Sequence, residues 1–104
     1  MGLVAELAKV INIQVITKGS LDLVAMKDVN ALLDEAMSRR LLVVGIEGFH
    51  IRDEQVMPDM NAIADFSANI HSDNPVNASI HQSLRFVREV GDAEMYFDFV
   101  FMRE

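Results

Sequence analysis

Two segments of the chain repeat apolar residues at the three-and-four spacing of an amphipathic α-helix. The first runs from Asp28 to Arg39, with its polar residues on the opposite side. Ser20, in the turn that precedes Leu21, is a possible cap for an earlier start. We therefore predict a helix over Asp28–Arg39 that extends back as far as Leu21 if Ser20 caps it. Its apolar face consists of Val29, Leu32, Leu33, Ala36 and Met37.

The second helical segment lies in the C-terminal third of the chain. Ile80, Leu84 and Val87 share one helical face. Gly91 follows the segment at the place where a left-handed C-cap residue belongs. The pattern predicts a helix that starts at Asn77 or Ser79 and ends at Val90.

Branched apolar residues and glycines between these helices indicate a β-hairpin. Leu41–Ile51 is too short and too glycine-interrupted for a helix, and residues 52–55 form a polar turn. Apolar residues resume at Val56 and stop at Pro58, so the hairpin is predicted to span Leu41–Met57. Asp59 is a plausible cap for a short helix that ends at Ala68.

The last ten residues alternate in the period-two pattern of a strand. One side carries Met95, Phe97, Phe99 and Phe101, and the other carries Tyr96, Asp98, Val100 and Met102. The first twenty residues fit a helix that leads into a short strand. Helices and strands in this order predict an α+β fold, with helices packed on one face of a mostly antiparallel sheet. This two-layer α/β sandwich is expected to be a single compact domain over residues 1–104.

Charge and composition narrow the classes of function. The formal net charge of −7 argues against binding to nucleic acid phosphates and favours a basic partner. The alternative is that the negative charge serves only to keep the chain soluble. No apolar run approaches the length of a membrane span, and the N-terminus lacks the features of a signal peptide, so the cytoplasm is the expected location. The chain has no cysteine, which excludes disulfides, thiolate metal sites and cysteine nucleophiles.

Glu47 is the first candidate for a functional residue. It lies in an otherwise apolar strand, close to Gly45 and Gly48, and glycine within a strand often marks a bulge or a close approach. A buried glutamate would have a raised pKa and would suit general acid or base catalysis. The alternative is that Glu47 faces solvent on one side of the sheet.

Asp98 and Asp65 are acidic residues in similarly apolar surroundings. If the last strand pairs with the Leu41 strand, Glu47 and Asp98 would share the face opposite the phenylalanines. They would form a paired carboxylate site only if both were sheltered from water. Tyr96 shares a face with Asp98 and His50 is near Glu47 in sequence, so both are further candidate ligand or interface residues.

No cofactor or metal is expected from the remaining motifs. The three histidines, His50, His71 and His81, show no metal-ligand spacing. The chain also lacks a nucleophile elbow, a phosphate loop and a dinucleotide fingerprint. An enzyme is therefore the less favoured class, although one without a local motif remains open.

Three hypotheses follow from the sequence. The first is a small non-enzymatic protein-interaction domain that forms a homodimer through its sheet, because the last strand is apolar on nearly both faces. The second is an acidic inhibitor or immunity-type protein that masks the basic site of a toxin. The third is a ligand-binding or enzymatic domain with a carboxylate pocket around Glu47 and Asp98.

Overall fold

The computed structural model describes residues 2–104, which form three α-helices and five β-strands. The helices are α1 (Leu3–Ile11), α2 (Val29–Ser38) and α3 (Pro75–Val90). The strands are β1 (Val15–Lys18), β2 (Leu21–Ala25), β3 (Leu41–Arg52), β4 (Gln55–Asp65) and β5 (Tyr96–Arg103). Short 3-10 helices at Met26–Asp28 and Ser67–His71 precede α2 and α3.

The five strands form one antiparallel sheet in the order β1-β2-β5-β3-β4. The C-terminal strand β5 therefore lies in the centre of the sheet, and β1 and β4 are its edges. The helices pack side by side, α1 against α2 and α2 against α3, and α3 lies on β3. The predicted α+β sandwich, with helices against a mostly antiparallel sheet, is confirmed.

The main core lies between the helices and one side of the sheet. The apolar face of α2 is buried through Val29, Leu32, Leu33 and Ala36, as its spacing predicts. The sheet contributes Phe97 and Phe99 from β5 and Ile46 from β3 to the same cluster. Burial of these side chains contributes about 1.5 to 3 kcal/mol each, which is the main stabilising term.

The region before α2 differs from the prediction. The helix does not extend back to Leu21 and Ser20 does not cap it, because Leu21–Ala25 is strand β2. In β2, Val24 pairs with Phe97 of the central strand and contributes to the core. Tertiary pairing thus decides the conformation of a short apolar segment whose local pattern is compatible with either state. The predicted N-terminal helix and short strand are confirmed as α1 and β1.

The predicted short helix from Asp59 to Ala68 is wrong, because β4 continues to Asp65. Pro58 does not end the strand: it pairs with Phe49, and β4 is an edge strand, the kind of strand in which proline is tolerated. Asp59 accepts a hydrogen bond from the Asn61 N–H and does not cap a helix. The predicted hairpin itself is present, with its turn at Asp53 and Glu54, both of which have positive φ.

Helix α3 begins earlier than predicted and ends at Val90 as predicted, but with a different conformation at Gly91. Pro75 is its first residue, and the Asn74 side chain accepts a hydrogen bond from the Asn77 N–H. The predicted left-handed C-cap at Gly91 is wrong, because Gly91 has φ −85° and ψ 155°. Position 91 requires glycine because neighbouring side chains leave no space for a Cβ atom. A Cβ at Gly91 would lie 2.2 Å from Met26 Cε and 2.9 Å from Phe97 Cζ.

The sheet is irregular on both sides of Glu47. Against β5, strand β3 has one extra residue between Val43 and Gly45. Against β4, the extra residues lie in β4, because Glu47 pairs with Ile63 and Phe49 pairs with Pro58. The backbone N–H of Val43 donates to the Oγ of the buried Ser79 on α3, at 2.9 Å. A bulge of the kind that glycine-containing strands often contain is thus present next to Gly45, and Ser79 of α3 accepts the N–H hydrogen bond there.

Candidate functional site

The side of the sheet that faces away from the helices is the candidate functional site. Phe97, Phe99 and Ile46 point into the core, so their alternating neighbours on β5 and β3 point to the other side. We call this side the open face. Strand register assigns to it Leu23, Ala25, Gly45, Glu47, Phe49, Ile63, Asp65, Tyr96, Asp98, Val100 and Met102. Leu23 and Phe49 are buried, so the exposed part of this face lies around Glu47 and Val100.

The centre of the open face holds two carboxylates on neighbouring strands. Glu47 of β3 and Asp98 of β5 are direct cross-strand partners. Cβ atoms in such pairs lie about 4.5 to 5.5 Å apart, and like charges at this position repel. The two residues therefore share one face of the sheet, as expected from the sequence if the two strands pair. Glu47 is exposed, whereas Asp98 is half-buried.

The Asp98 carboxyl is the perturbed member of the pair. Its burial, followed by the negative charges of Glu47 and Asp22, raises its pKa from 3.8 to about 6. A backbone hydrogen bond at Phe99 acts in the opposite direction. A carboxyl with this pKa changes its charge just below neutral pH, where ordinary aspartates are fully ionised.

A shallow hollow of about 70 Å³ lies beside the two carboxylates. Gly45 leaves the space, because it pairs with Val100 and has no side chain of its own. Ile63 of β4 and Val100 of β5 supply aliphatic walls. The hollow therefore combines an apolar lining with negative charge, a combination suited to the end of a long cationic side chain.

A second hollow of about 120 Å³ lies on the β2 side of the open face. Its lining includes Leu23, Ile16 and Tyr96, together with the charged residues Lys27 and Asp28. Tyr96 is half-buried and pairs with Phe49 of β3. Tyr96 therefore shares the face with the carboxylates and presents an aromatic surface next to them.

His50 does not join this group. Strand alternation places its side chain on the opposite side of β3 from Glu47. Its Nε2 atom lies 3.0 Å from Asp59 Oδ2, so the pair connects β3 to the irregular part of β4. Asp65, the third acidic candidate, pairs with Gly45 and therefore lies on the open face. Hydrogen bonds from the side chain and the backbone N–H of Ser67 lower its pKa.

Within residues 2–104, no group of three or more histidine, aspartate or glutamate side chains is arranged to hold a metal ion. His71 ends a 3-10 helix and His81 lies on the exposed side of α3. None of the helices in the same range is long and apolar enough to cross a membrane.

Two residues that contribute to the candidate site, Ile63 and Asp22, were not identified from the sequence. Ile63 was assigned to a helix, although the alternation of Ala62, Ile63, Ala64 and Asp65 is also typical of a strand. The negative charge of Asp22 helps to raise the pKa of Asp98. The sequence pattern around Asp22 was also compatible with a helix. For both residues, the sequence feature that indicates the correct structure is the alternation of a strand. Potential helix-capping residues in the same segments favoured a helix instead.

Comparisons with protein-family models, with curated proteins and with solved structures found no significant match to this chain.

Proposed function

We propose that this chain is a non-enzymatic protein-interaction domain whose open face binds a basic segment of another protein. The observation that supports this most directly is the combination of exposed aliphatic side chains and a carboxylate pair in the exposed part of the open face. The acidic inhibitor, one of the hypotheses from the sequence, is a specific form of this function in which the partner's basic site is masked.

The exposed aliphatic residues supply the first argument. Val100 in the central strand is 53% exposed, and Ile63 on the edge strand is 46% exposed. Met102 adds a third exposed apolar side chain on the same face. Single exposed apolar residues are ordinary, whereas several on one face are typical of association sites. Covering them with a partner would remove this apolar surface from water.

Charge selects the kind of partner. If two copies stacked their open faces, both Glu47–Asp98 pairs would enter one interface, and desolvated like charges oppose such packing. A lysine or arginine from another protein would instead neutralise the pair. The net charge of −7 would also attract a basic partner over longer distances. A heterologous basic partner is therefore favoured over self-association through this face, which stays an untested alternative.

The enzymatic hypothesis has less support. The third group proposed for the pocket, His50, is on the other side of β3 and is paired with Asp59. Glu47 is exposed, so it lacks the sheltered environment that tunes a carboxyl for acid-base catalysis. The geometry of the pair is better suited to holding a cationic side chain than to transferring protons.

Site-specific photo-crosslinking in the cells that produce this protein tests the proposal. Benzoylphenylalanine replaces Val100 on the open face, or Val10 on α1 as the matched control. The control is suitable because Val10 is also a highly exposed valine, at 58%, and lies outside the sheet. We expect a crosslinked adduct at position 100 that is absent at position 10 and whose partner is a basic protein. We also expect the adduct to diminish when Glu47→Lys is combined with the crosslinker.

Each other outcome counts against the proposal in a defined way. An adduct with a second copy of this chain would replace it with self-association. Equal labelling at both positions, or an adduct that persists unchanged with Glu47→Lys, would contradict the role of the open face and its charge.

A further inference from the structure

A second surface lies on the helical layer, away from the open face. It is a groove of about 340 Å³ between the start of α2 and the last turns of α3. This volume is within the usual range for small-molecule sites, about 300 to 1,000 Å³. Four apolar residues line it, namely Met26, Val29, Leu84 and Val87.

The packing of the two elements explains why the groove exists. Leu84, Val87 and Arg88 lie three and four residues apart, so they share one face of α3. Met26 packs close to Gly91 just beyond the end of this helix, as the short distance to a Cβ at that position indicates. Val29 and Val87 are buried, whereas Met26 and Leu84 are half-buried, so the valines form the floor and the longer side chains form the walls.

The charged residues of the groove are both cations. Lys27, from the turn before α2, and Arg88, from α3, line it together with the neutral Asn30. Neither cation forms an ion pair within residues 2–104. Their acidic neighbours in sequence, Asp28 and Glu89, do not line the groove. Glu89 pairs with Arg85, and Asp28 lines the hollow over Leu23, which Lys27 also lines.

From this arrangement we infer that the groove binds a small amphipathic anion, a medium-chain aliphatic carboxylate. The aliphatic chain lies over Val29 and Val87, between Met26 and Leu84. The carboxylate accepts charge-assisted hydrogen bonds from Arg88 and Lys27. This second site is independent of the function proposed for the open face.

The overall charge of the chain favours a small anion over a large one. Two local cations act within a Debye length of about 8 Å, so they attract a single carboxylate at short range. A nucleic acid, an acidic protein or an anionic membrane would also approach the rest of a chain with a net charge of −7. Repulsion over that larger surface opposes binding of such partners.

Titration of the purified chain with decanoate tests the inference, with NMR chemical shifts reporting the location. Decanol and butyrate serve as the neutral and short-chain probes. We expect saturable decanoate binding that shifts the signals of Leu84 and Val87. Both other probes should bind at least about tenfold more weakly, because each lacks one of the two interactions.

Variants separate the groove from general surface charge. Arg88→Gln should weaken decanoate binding about tenfold, since it removes one charge-assisted hydrogen bond. Arg85→Gln is the matched control, because Arg85 is on the same helix but is paired with Glu89 and lies outside the groove. The control should leave the affinity within about twofold.

Three results would overturn the inference. The first is equal binding of decanoate and decanol, and the second is equal loss of affinity in Arg85→Gln and Arg88→Gln. The third is binding to vesicles of anionic phosphatidylglycerol without binding of free decanoate, which would assign the groove to a membrane surface. None of these results bears on the open face.

Discussion

Replacing Asp98 with asparagine should make the protein more stable at neutral pH. The change removes the ionisable group that lies half-buried beside Glu47 and keeps an oxygen that can accept the backbone hydrogen bond at Phe99. The raised pKa means that folding favours the protonated carboxyl over the ionised one. The wild-type chain therefore loses stability when Asp98 ionises, and Asp98→Asn does not.

The pH range follows from the two pKa values. In the unfolded chain Asp98 ionises near 3.8, and in the folded protein it ionises near 6. The stability contributed by the protonated carboxyl is fully present below 3.8 and is lost as the pH rises through about 6. The difference in unfolding free energy between Asp98→Asn and wild type should therefore grow from pH 4 to pH 6 and then stay constant.

The expected gain in the free energy of unfolding of Asp98→Asn is modest. A shift of about two pKa units corresponds to at most about 3 kcal/mol, at about 1.4 kcal/mol per unit. Because Asp98 is only half-buried, solvent screening reduces this to about 1 to 2 kcal/mol. Urea denaturation at a series of pH values measures it. A difference that does not change with pH, together with an ordinary aspartate pKa for Asp98 by NMR, would refute the reasoning.

The neighbouring carboxylate gives a matched control for the same experiment. Glu47→Gln removes one of the charges that raise the Asp98 pKa but leaves the burial that is the largest cause. We expect the Asp98 pKa to fall in this variant and to remain above 3.8. A return to 3.8 would show that charge repulsion, and not burial, dominates.

Two further predictions concern the strand that carries Glu47. Gly48→Ala should destabilise the fold by about 1 to 3 kcal/mol, because its Cβ would lie 2.6 Å from the nearest side-chain atom. Gly45→Ala is the control and should destabilise the fold less, because its Cβ would meet no atom closer than 3.5 Å. Ser79→Ala should cost about 1 to 3 kcal/mol because it leaves the Val43 N–H without its acceptor. Ser83→Ala should cost less, since Ser83 donates to a helix carbonyl and leaves no donor unpaired. Urea denaturation measures all four; equal losses within either pair would contradict these explanations.

The fold class was predictable because the long elements have clear periodicity. The apolar faces of α2 and α3 and the alternation of β5 are each long enough to exclude another period. Two shorter segments were ambiguous. Pairing with neighbouring strands determines the conformation of Leu21–Ala25 and of the second half of β4. The local sequence pattern does not identify those neighbouring strands.

The candidate site was predictable only in part, for a related reason. Alternation along β5 and β3 assigns Glu47 and Asp98 to one face once the two strands are assumed to pair. Sequence patterns do not indicate that Gly45 leaves a hollow beside them, nor that Ile63 forms its wall, because these depend on the register between strands. The unequal burial of the two carboxylates also depends on that register.

The central claim, that the open face binds a basic segment, is tested most directly by peptide titration of the purified protein. The probe is a short peptide of alternating valine and arginine, and the control replaces arginine with glutamate. We predict saturable shifts of the Ile63, Val100 and Met102 signals with the arginine peptide, absent with the glutamate peptide and weaker in Glu47→Gln. Equal binding of both peptides, or arginine-peptide shifts spread over the helices with none on the open face, would contradict the claim.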